Sequence, residues 1–118
     1  MIFYAKDRLK AVRPKAQGGL GEVHGLHSLT ADRRPDKTHF KMVGRMTLAP
    51  GSSIGLHTHK DDEEIYIILS GQGLYTKNDG QTETVGPGDM TLARQGHQHG
   101  LANDGAEPLI FMAVIAAD

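Results

Sequence analysis

The stretch GLHTHKDDEEIYIILSG, residues 55–71, places two histidines on either side of one threonine, ahead of a cluster of acids and an apolar run. In an extended chain alternate side chains point the same way, so His57 and His59 project to one face while Thr58 points away. The pattern therefore predicts two imidazoles that converge on one metal ion. The competing interpretation is a polar loop with chance histidines that leads into a core strand.

Two adjacent glutamates follow, and only one of them can accompany the histidines. Residues 60–62 predict a short turn, which leaves the register of the next strand open. In that strand Glu64 shares a face with Tyr66 and Ile68, whereas Glu63 points to the opposite face. A carboxylate beside such side chains is costly to bury alone, and a divalent cation would remove that cost.

A second pair of histidines lies in RQGHQHGLAN, residues 94–103. His97 and His99 share strand parity, so either could point at the same ion if their strand lies beside the first pair. Spacing alone does not choose between them.

Length and composition limit the classes of function. With 118 residues the chain suits one domain that buries a real core. Its formal net charge of −1, without long blocks of like charge, argues against nucleic acid and anionic membranes as partners and favours small molecules. Cysteine is absent, so any metal ligands are nitrogen and oxygen atoms. The apolar runs are too short for a signal peptide or a membrane span, and we expect a cytoplasmic protein.

Turn signals recur every eight to a dozen residues, and helical periodicity is nearly absent. This spacing is typical of an all-β sandwich or barrel. Alternating apolar residues predict a strand over residues 40–48, and Asn78, Asp79 and Gly80 predict a hairpin turn. The closing run LIFMAVIA, residues 109–116, predicts a strand buried on both faces.

At nine positions the two histidine stretches resemble the sequence motifs of the cupins, which are small β-barrels of the jelly-roll type, also called the double-stranded β-helix. Residues 51–71 fit the first motif at every spacing, and residues 88–103 fit the second except at Arg94, where the family usually has proline. The loss of that proline leaves the local turn geometry open. The fitting positions are Gly51, His57, His59, Glu64, Gly71, Gly88, Gly96, His99 and Asn103.

The resemblance implies a site and a domain. It selects Glu64 over Glu63 and His99 over His97, so the implied metal ligands are His57, His59, Glu64 and His99. It also implies a single cupin domain over residues 1–118, with N-terminal strands in residues 1–48. More narrowly, the chain looks like the short bacterial cupins that are discussed alongside oxalate decarboxylase. The short stretch 72–87 has no room for a lid and argues against the lid-glutamate chemistry of that enzyme.

Three imidazoles and one carboxylate suit one divalent ion and leave open positions on octahedral Mn²⁺, Fe²⁺, Ni²⁺ or Co²⁺, with fewer on Zn²⁺. The first functional hypothesis is therefore a metal-dependent oxidoreductase or lyase, such as a dioxygenase or decarboxylase, that acts on a small oxygen-rich or carboxylate compound. The second is a non-catalytic module that binds metal or a small molecule, because the barrel alone does not define a function. No catalytic residue is predicted.

The remaining candidates have simpler interpretations. His97 is expected to lie near the ligands or on the surface, and Arg94 in an exposed turn. Tyr66 suits either a pocket wall or the core. The other residues of interest are predicted as ordinary surface histidines (His24, His27 and His39), a solvated acidic rim (Asp61, Asp62 and Glu63) and core filler (Met42 and Met46).

One apolar face of the predicted strand has no evident cover. Ile65, Ile67 and Leu69 point away from the implied site, and a lone barrel would expose them. We therefore predict a homodimer to whose interface the strand-forming part of residues 1–48 contributes.

Overall fold

The computed structural model describes residues 1–118 and consists of ten strands in two antiparallel sheets, as the all-β prediction required. Short 3-10 helices at Ala5–Asp7, Ala16–Gly18 and Ala31–Arg33 are the only helical elements, and none could cross a membrane. The six-stranded sheet has the order β1 (Leu9–Pro14), β2 (Glu22–Leu29), β3 (Phe40–Leu48), β10 (Leu109–Ala117), β5 (Asp62–Ser70), β8 (Met90–Ala93). The four-stranded sheet has the order β4 (Ser53–Thr58), β9 (Gln98–Ala102), β6 (Gly73–Thr76), β7 (Thr82–Val85).

The core lies between the inner faces of the two sheets. Alternate residues of each strand point inward, as expected for antiparallel sheets with one solvated face. Leu48, Ile68 and Phe111 from the larger sheet are at most 1% exposed, and Leu101 from the smaller sheet is 2% exposed. The hairpin predicted at residues 78–80 joins β6 to β7.

The closing strand β10 differs from its prediction. Leu109, Phe111 and Ala113 are buried, whereas Ile110 and Met112 are only partly covered. The strand lies in the middle of an antiparallel sheet, and only one face of that sheet packs on the core. Burial on both faces was therefore the wrong expectation.

Small residues on the inner face of the larger sheet leave an open space inside the barrel. One row of directly paired residues carries the bulky side chains Met46 and Phe111. The next row runs from His27 through Gly44 and Ala113 to Tyr66, and its two middle members project almost nothing inward. The result is a cavity of about 210 Å³ open at one end, which we call the inner chamber.

The turn that departs from the family motif closes without proline. His97 N–H donates to the Arg94 carbonyl at 2.9 Å, and Gly96 adopts φ +85°, which favours glycine. Arg94 is exposed at the first position of this turn, as the sequence suggested. The turn carries the chain into β9, where His99 is buried while His97, just before the strand, stays partly exposed.

Candidate functional site

Four polar residues are clustered at one wall of the inner chamber. His57, His59 and Glu64 line it, and His99 lies behind them with no exposed surface. One ligand atom from each of the four lies within 4.8 Å of those of the others. The structure therefore brings together the residues that the sequence motifs single out.

Strand pairing explains how distant histidines meet. His57 on β4 lies directly opposite His99 on β9. His59 follows the end of β4 and stays in line because its N–H donates to the His97 carbonyl at 2.9 Å. Glu64 comes from β5 in the other sheet, on the inner face as its parity predicted.

Three of the distances between the ligand atoms are short and nearly equal. The Glu64 Oε1 atom lies 3.0 Å from the Nε2 atoms of both His59 and His99, and these two nitrogens are 3.1 Å apart. His57 Nε2 is farther from the carboxylate, at 3.8 Å. Nitrogen and oxygen ligands lie about 2.0–2.2 Å from a metal, so two donors at right angles are separated by about 3.0 Å. The arrangement is compatible with one divalent ion.

Each imidazole is held through its second nitrogen, which leaves Nε2 free for the cluster. The Nδ1 atom of His57 lies 2.8 Å from the Gly55 carbonyl oxygen, so it carries the hydrogen and donates. His59 Nδ1 lies 2.6 Å from the Asp62 carboxylate, and His99 Nδ1 lies 2.9 Å from the Tyr75 hydroxyl. Partners of this kind fix the tautomer and orientation of histidines that bind metals.

The Asp62 contact corrects one prediction from the sequence. Asp62 was expected in a solvated rim with Asp61 and Glu63, which are indeed exposed. Its carboxylate instead accepts hydrogen bonds from His59 and from Lys41 Nζ at 3.1 Å, and its side chain is 15% exposed. The turn at residues 60 and 61 folds Asp62 back beneath His59, which alternation along an extended chain does not foresee.

Electrostatics in the cluster favour a charged carboxylate. Burial alone would raise the pKa of Glu64, but the close contacts of its carboxylate with the imidazoles of His57, His59 and His99 outweigh burial and hold the pKa well below its usual range. The hydrogen bond to Glu64 raises the pKa of His59, whereas burial lowers that of His99. The cluster therefore presents one fixed negative charge and imidazoles of unequal basicity.

Two tyrosines, Tyr66 and Tyr75, contact His99 of the cluster. The Tyr66 ring stacks on His99 with centroids 4.8 Å apart and an interplanar angle of 15°. Tyr66 lines the chamber yet is 2% exposed, so it serves as both pocket wall and core. Burial raises the pKa of its hydroxyl well above the usual value, which keeps that group protonated. Tyr75, which the sequence did not single out, comes from β6 beside β9.

The other histidines separate into two groups. His24 and His39 are exposed, as predicted, and His97 is partly exposed with its Nε2 atom 3.4 Å from Arg94. His27 contradicts its assignment to the surface, because it lines the inner chamber and its Nδ1 atom is buried without a hydrogen-bond partner. Its position on the inner face follows from the pairing of β2 with β3.

Asn103, the other polar residue among the nine motif positions, has a structural role. The Asn103 amide donates to the carbonyls of Leu48 and Glu107, both at 2.8 Å, and its side-chain oxygen accepts from Gly105 N–H at 3.0 Å. It thereby ties the loop after β9 to the end of β3. Met46 is buried in the core and Met42 packs against it, as predicted.

Comparison with known proteins adds a family and two relatives. The model of the family described as "Cupin domain" matches residues 44–115. An "Oxalate-binding protein" of Thermotoga maritima is 39% identical over 99 residues, which is 84% of this chain and 79% of that protein. A "Gentisate 1,2-dioxygenase" of a Ralstonia species is 33% identical over 94 residues, but this chain covers only 24% of its length.

A solved structure shares the whole fold. The crystal structure of a "predicted oxalate decarboxylase" from Thermotoga maritima superposes with a TM-score of 0.88 at 33% identity, and the match covers 100% of both chains. This likeness over the full length confirms the jelly-roll barrel expected from the sequence motifs.

Proposed function

The chain belongs to the cupin family, and we propose that His57, His59, Glu64 and His99 hold one divalent metal ion in it. The observation that carries the proposal is the convergence of these four ligand atoms, with every imidazole oriented by a partner at Nδ1. A bound Mn²⁺, Fe²⁺, Ni²⁺, Co²⁺ or Zn²⁺ would supply Lewis acidity or, if redox-active, electron transfer. We further propose that residues 1–118 form a single cupin domain. The cytoplasmic location stays a prediction.

We propose that a small carboxylate or oxygen-rich compound binds beside this site as the substrate of an oxidoreductase or lyase. The names of the relatives support this class, since one binds oxalate and one is a dioxygenase. The chain contributes the inner chamber, whose walls, including Ile54, Phe111 and Ala113, are largely apolar. His57, His59 and Glu64 fix one side of that space, and the protonated Tyr66 lies beside them.

One observation favours a second candidate, a non-catalytic binding module. Apart from the four clustered residues, the polar groups that line the chamber are Arg13, Gln17, His27 and Tyr66. Of these only His27 belongs to a residue type that ordinarily exchanges protons near neutral pH, and burial lowers its pKa, so the chamber is poor in groups for proton transfer. The oxalate-binding relative is consistent with such a module.

Turnover and binding can be separated with metal-loaded protein. The metal-free protein is loaded separately with Mn²⁺, Fe²⁺, Ni²⁺ and Zn²⁺, and dioxygen uptake and carbon dioxide release are followed over small dicarboxylates, diketones and catechols. The His59→Ala protein is the control. Turnover above this control establishes the enzyme. Tight binding without turnover in any metal form establishes the binding module.

The Asp62 contact gives a prediction for metal affinity. Asp62→Asn removes the carboxylate that orients His59, and loss of such a partner costs about 10–100-fold in metal affinity. Competition titration with a chromogenic chelator measures this change. Asp61→Asn alters the exposed neighbour and should leave the affinity within about twofold. Equal affinities for the two variants would show that the contact does not support the site.

We also propose that the chain forms a homodimer through the outer face of the larger sheet. Strand pairing places Val43, Val114, Ile65 and Leu92 in one row across β3, β10, β5 and β8. Leu92 is 47% exposed, and in the neighbouring rows Met90 and Leu69 are 60% and 45% exposed. A contiguous apolar face of this kind marks an interaction site in a soluble domain. Val43 lies on β3, so the strand-forming part of residues 1–48 contributes to this interface.

A single charge should disrupt that dimer. Leu92→Glu places a carboxylate on the apolar face at its β8 end, and light scattering at micromolar concentration is expected to change from a dimer to a monomer mass. Leu20→Glu, at a leucine that is 68% exposed and outside both sheets, should remain dimeric. A monomer mass for the unaltered protein would refute the proposal.

A further inference from the structure

The inner chamber has a second polar region, on the strands β1 and β2. Arg13 and His27 line the same cavity as His57, His59 and Glu64. Glu64 and His27 lie in strands separated by two others, which is about 14 Å along the curved sheet. The loop after β1 contacts β4, since the backbones of Gly19 and Gly55 lie close together. Ala16 and Gln17 of this loop line the chamber together with His57.

Glycines create the place that His27 occupies. A Cβ atom built on Gly25 would lie 2.7 Å from His27 Nε2, and one built on Gly44 would lie 3.1 Å from His27 Nδ1. The ring therefore lies over two backbone positions that only glycine leaves free. Its Nδ1 atom is buried and has no hydrogen-bond partner in the chain, which is unusual for a polar atom in an interior.

Arg13 lacks a partner of opposite charge. None of the ion pairs in the chain includes it. Burial and then the charge of Arg13 lower the pKa of His27, so the imidazole is neutral beside the guanidinium at neutral pH. A guanidinium next to a neutral imidazole is suited to a carboxylate, which the first binds through paired N–H groups and the second through a hydrogen bond.

Between the two polar regions the chamber is apolar and sized for a ring. Ile54, Met46 and Phe111 form its walls, and Gly25 and Ala113 leave the space between them. Its volume is about 210 Å³. An apolar cavity of about 150 Å³ holds a benzene molecule, whereas a two-carbon diacid would fill only part of this chamber.

We propose that Arg13 and His27 form a carboxylate-binding site, so that the ligand class is a ring-sized acid with a chelating group at one end and a separate carboxylate at the other. This inference rests on the proposed function, because the chelating end is directed to the ion held by His57, His59, Glu64 and His99. Arg13 binds the distal carboxylate, and His27 donates a hydrogen bond to it. The apolar walls contact the faces of the ring.

Three matched probes test the inference with Co²⁺-loaded protein. Pyridine-2-carboxylate has the chelating end alone, pyridine-2,4-dicarboxylate adds the distal carboxylate, and 4-carbamoylpyridine-2-carboxylate replaces it with a neutral amide. Calorimetry gives the Kd values, and the shift of the Co²⁺ absorption bands shows that the ligand is on the protein-bound ion. We expect the dicarboxylate to bind at least about tenfold more tightly than either other probe.

Three variants test which residues cause the preference for the dicarboxylate. Arg13→Gln should remove the preference for the dicarboxylate and leave the Kd of pyridine-2-carboxylate within about twofold. Arg45→Gln, at an exposed arginine on the outer face of β3, should keep the preference. His27→Phe should reduce the preference about threefold or more, since it keeps a flat ring without hydrogen-bonding nitrogens.

The outcomes separate the two proposals. If the Co²⁺ form binds none of the probes, both the proposed function and this inference fail. If it binds all three equally, the function stands and the distal carboxylate site is overturned. A preference that survives in Arg13→Gln also overturns the site, because the carboxylate is then recognised elsewhere.

Discussion

His99→Ala is expected to weaken binding of a divalent ion more than about 100-fold. Loss of a residue that only orients a ligand costs about 10–100-fold in metal affinity, and loss of the ligand itself should cost more. His99 lies 3.0 Å from Glu64 and 3.1 Å from His59, at the centre of the cluster. A bound ion stabilises the unaltered protein, so a chelator should lower its thermal stability. The His99→Ala protein should lack this stabilisation, and a chelator should not change its unfolding temperature. Equilibrium dialysis with metal analysis and thermal unfolding with and without chelator measure both effects.

His97→Ala is the matched control, because it alters the other histidine of the same pair. His97 lies outside the cluster, so this variant should bind metal as the unaltered protein does. His99 is fully buried and stacked on Tyr66, and its replacement could unfold the protein. His57→Ala provides a second measurement, since that side chain is 13% exposed and its loss should remove metal binding with less damage to the fold. Full metal binding by a folded His99→Ala or His57→Ala protein would contradict the assignment.

The residues close together in sequence were the ones that the sequence predicted well. Alternation along a strand placed His57 and His59 on one face, and the same rule placed Glu64 inward. The choice of His99 over His97 came from the family motif rather than from geometry, because both share strand parity. The direct pairing of His57 with His99 supplies the missing physical reason, and it depends on the register between two strands that are far apart in the sequence.

The supporting residues could not be predicted, because they depend on turns and on long-range pairing. Asp62 reaches His59 only because the chain bends at residues 60 and 61, between β4 and β5. Tyr75 reaches His99 because β6 pairs with β9. His27 stands in a Gly-rich stretch typical of loops, yet it enters the chamber because β2 pairs with β3 in a sheet that curls over β4.

Metal affinity is expected to fall more than about 100-fold between pH 7.5 and 5.5, because protons compete with the ion for the imidazole nitrogens. His59 is the main competitor, since its hydrogen bond to Glu64 raises its pKa above 6.5 in the metal-free protein. Asp62 also binds this imidazole and favours its charged form. Dialysis against a fixed concentration of Zn²⁺ at a series of pH values gives the slope. An affinity independent of pH over this range would exclude imidazole ligands.

Above pH 6.5 the stability of the metal-free protein should fall as pH rises, whereas metal affinity rises with pH. The raised pKa of His59 means that the folded state holds a proton that the unfolded state releases, so its stabilising contribution is complete below 6.5 and is lost as pH rises through the folded pKa. The lowered pKa values of His27 and His99 have the reverse effect, and their contribution is lost as pH falls below 6.5. The metal-free protein should therefore be most stable near pH 6.5, whereas metal-loaded protein gains stability as pH rises further. Thermal unfolding of both forms between about pH 5 and 9 measures this divergence, and parallel curves would show that the ion does not bind through these histidines.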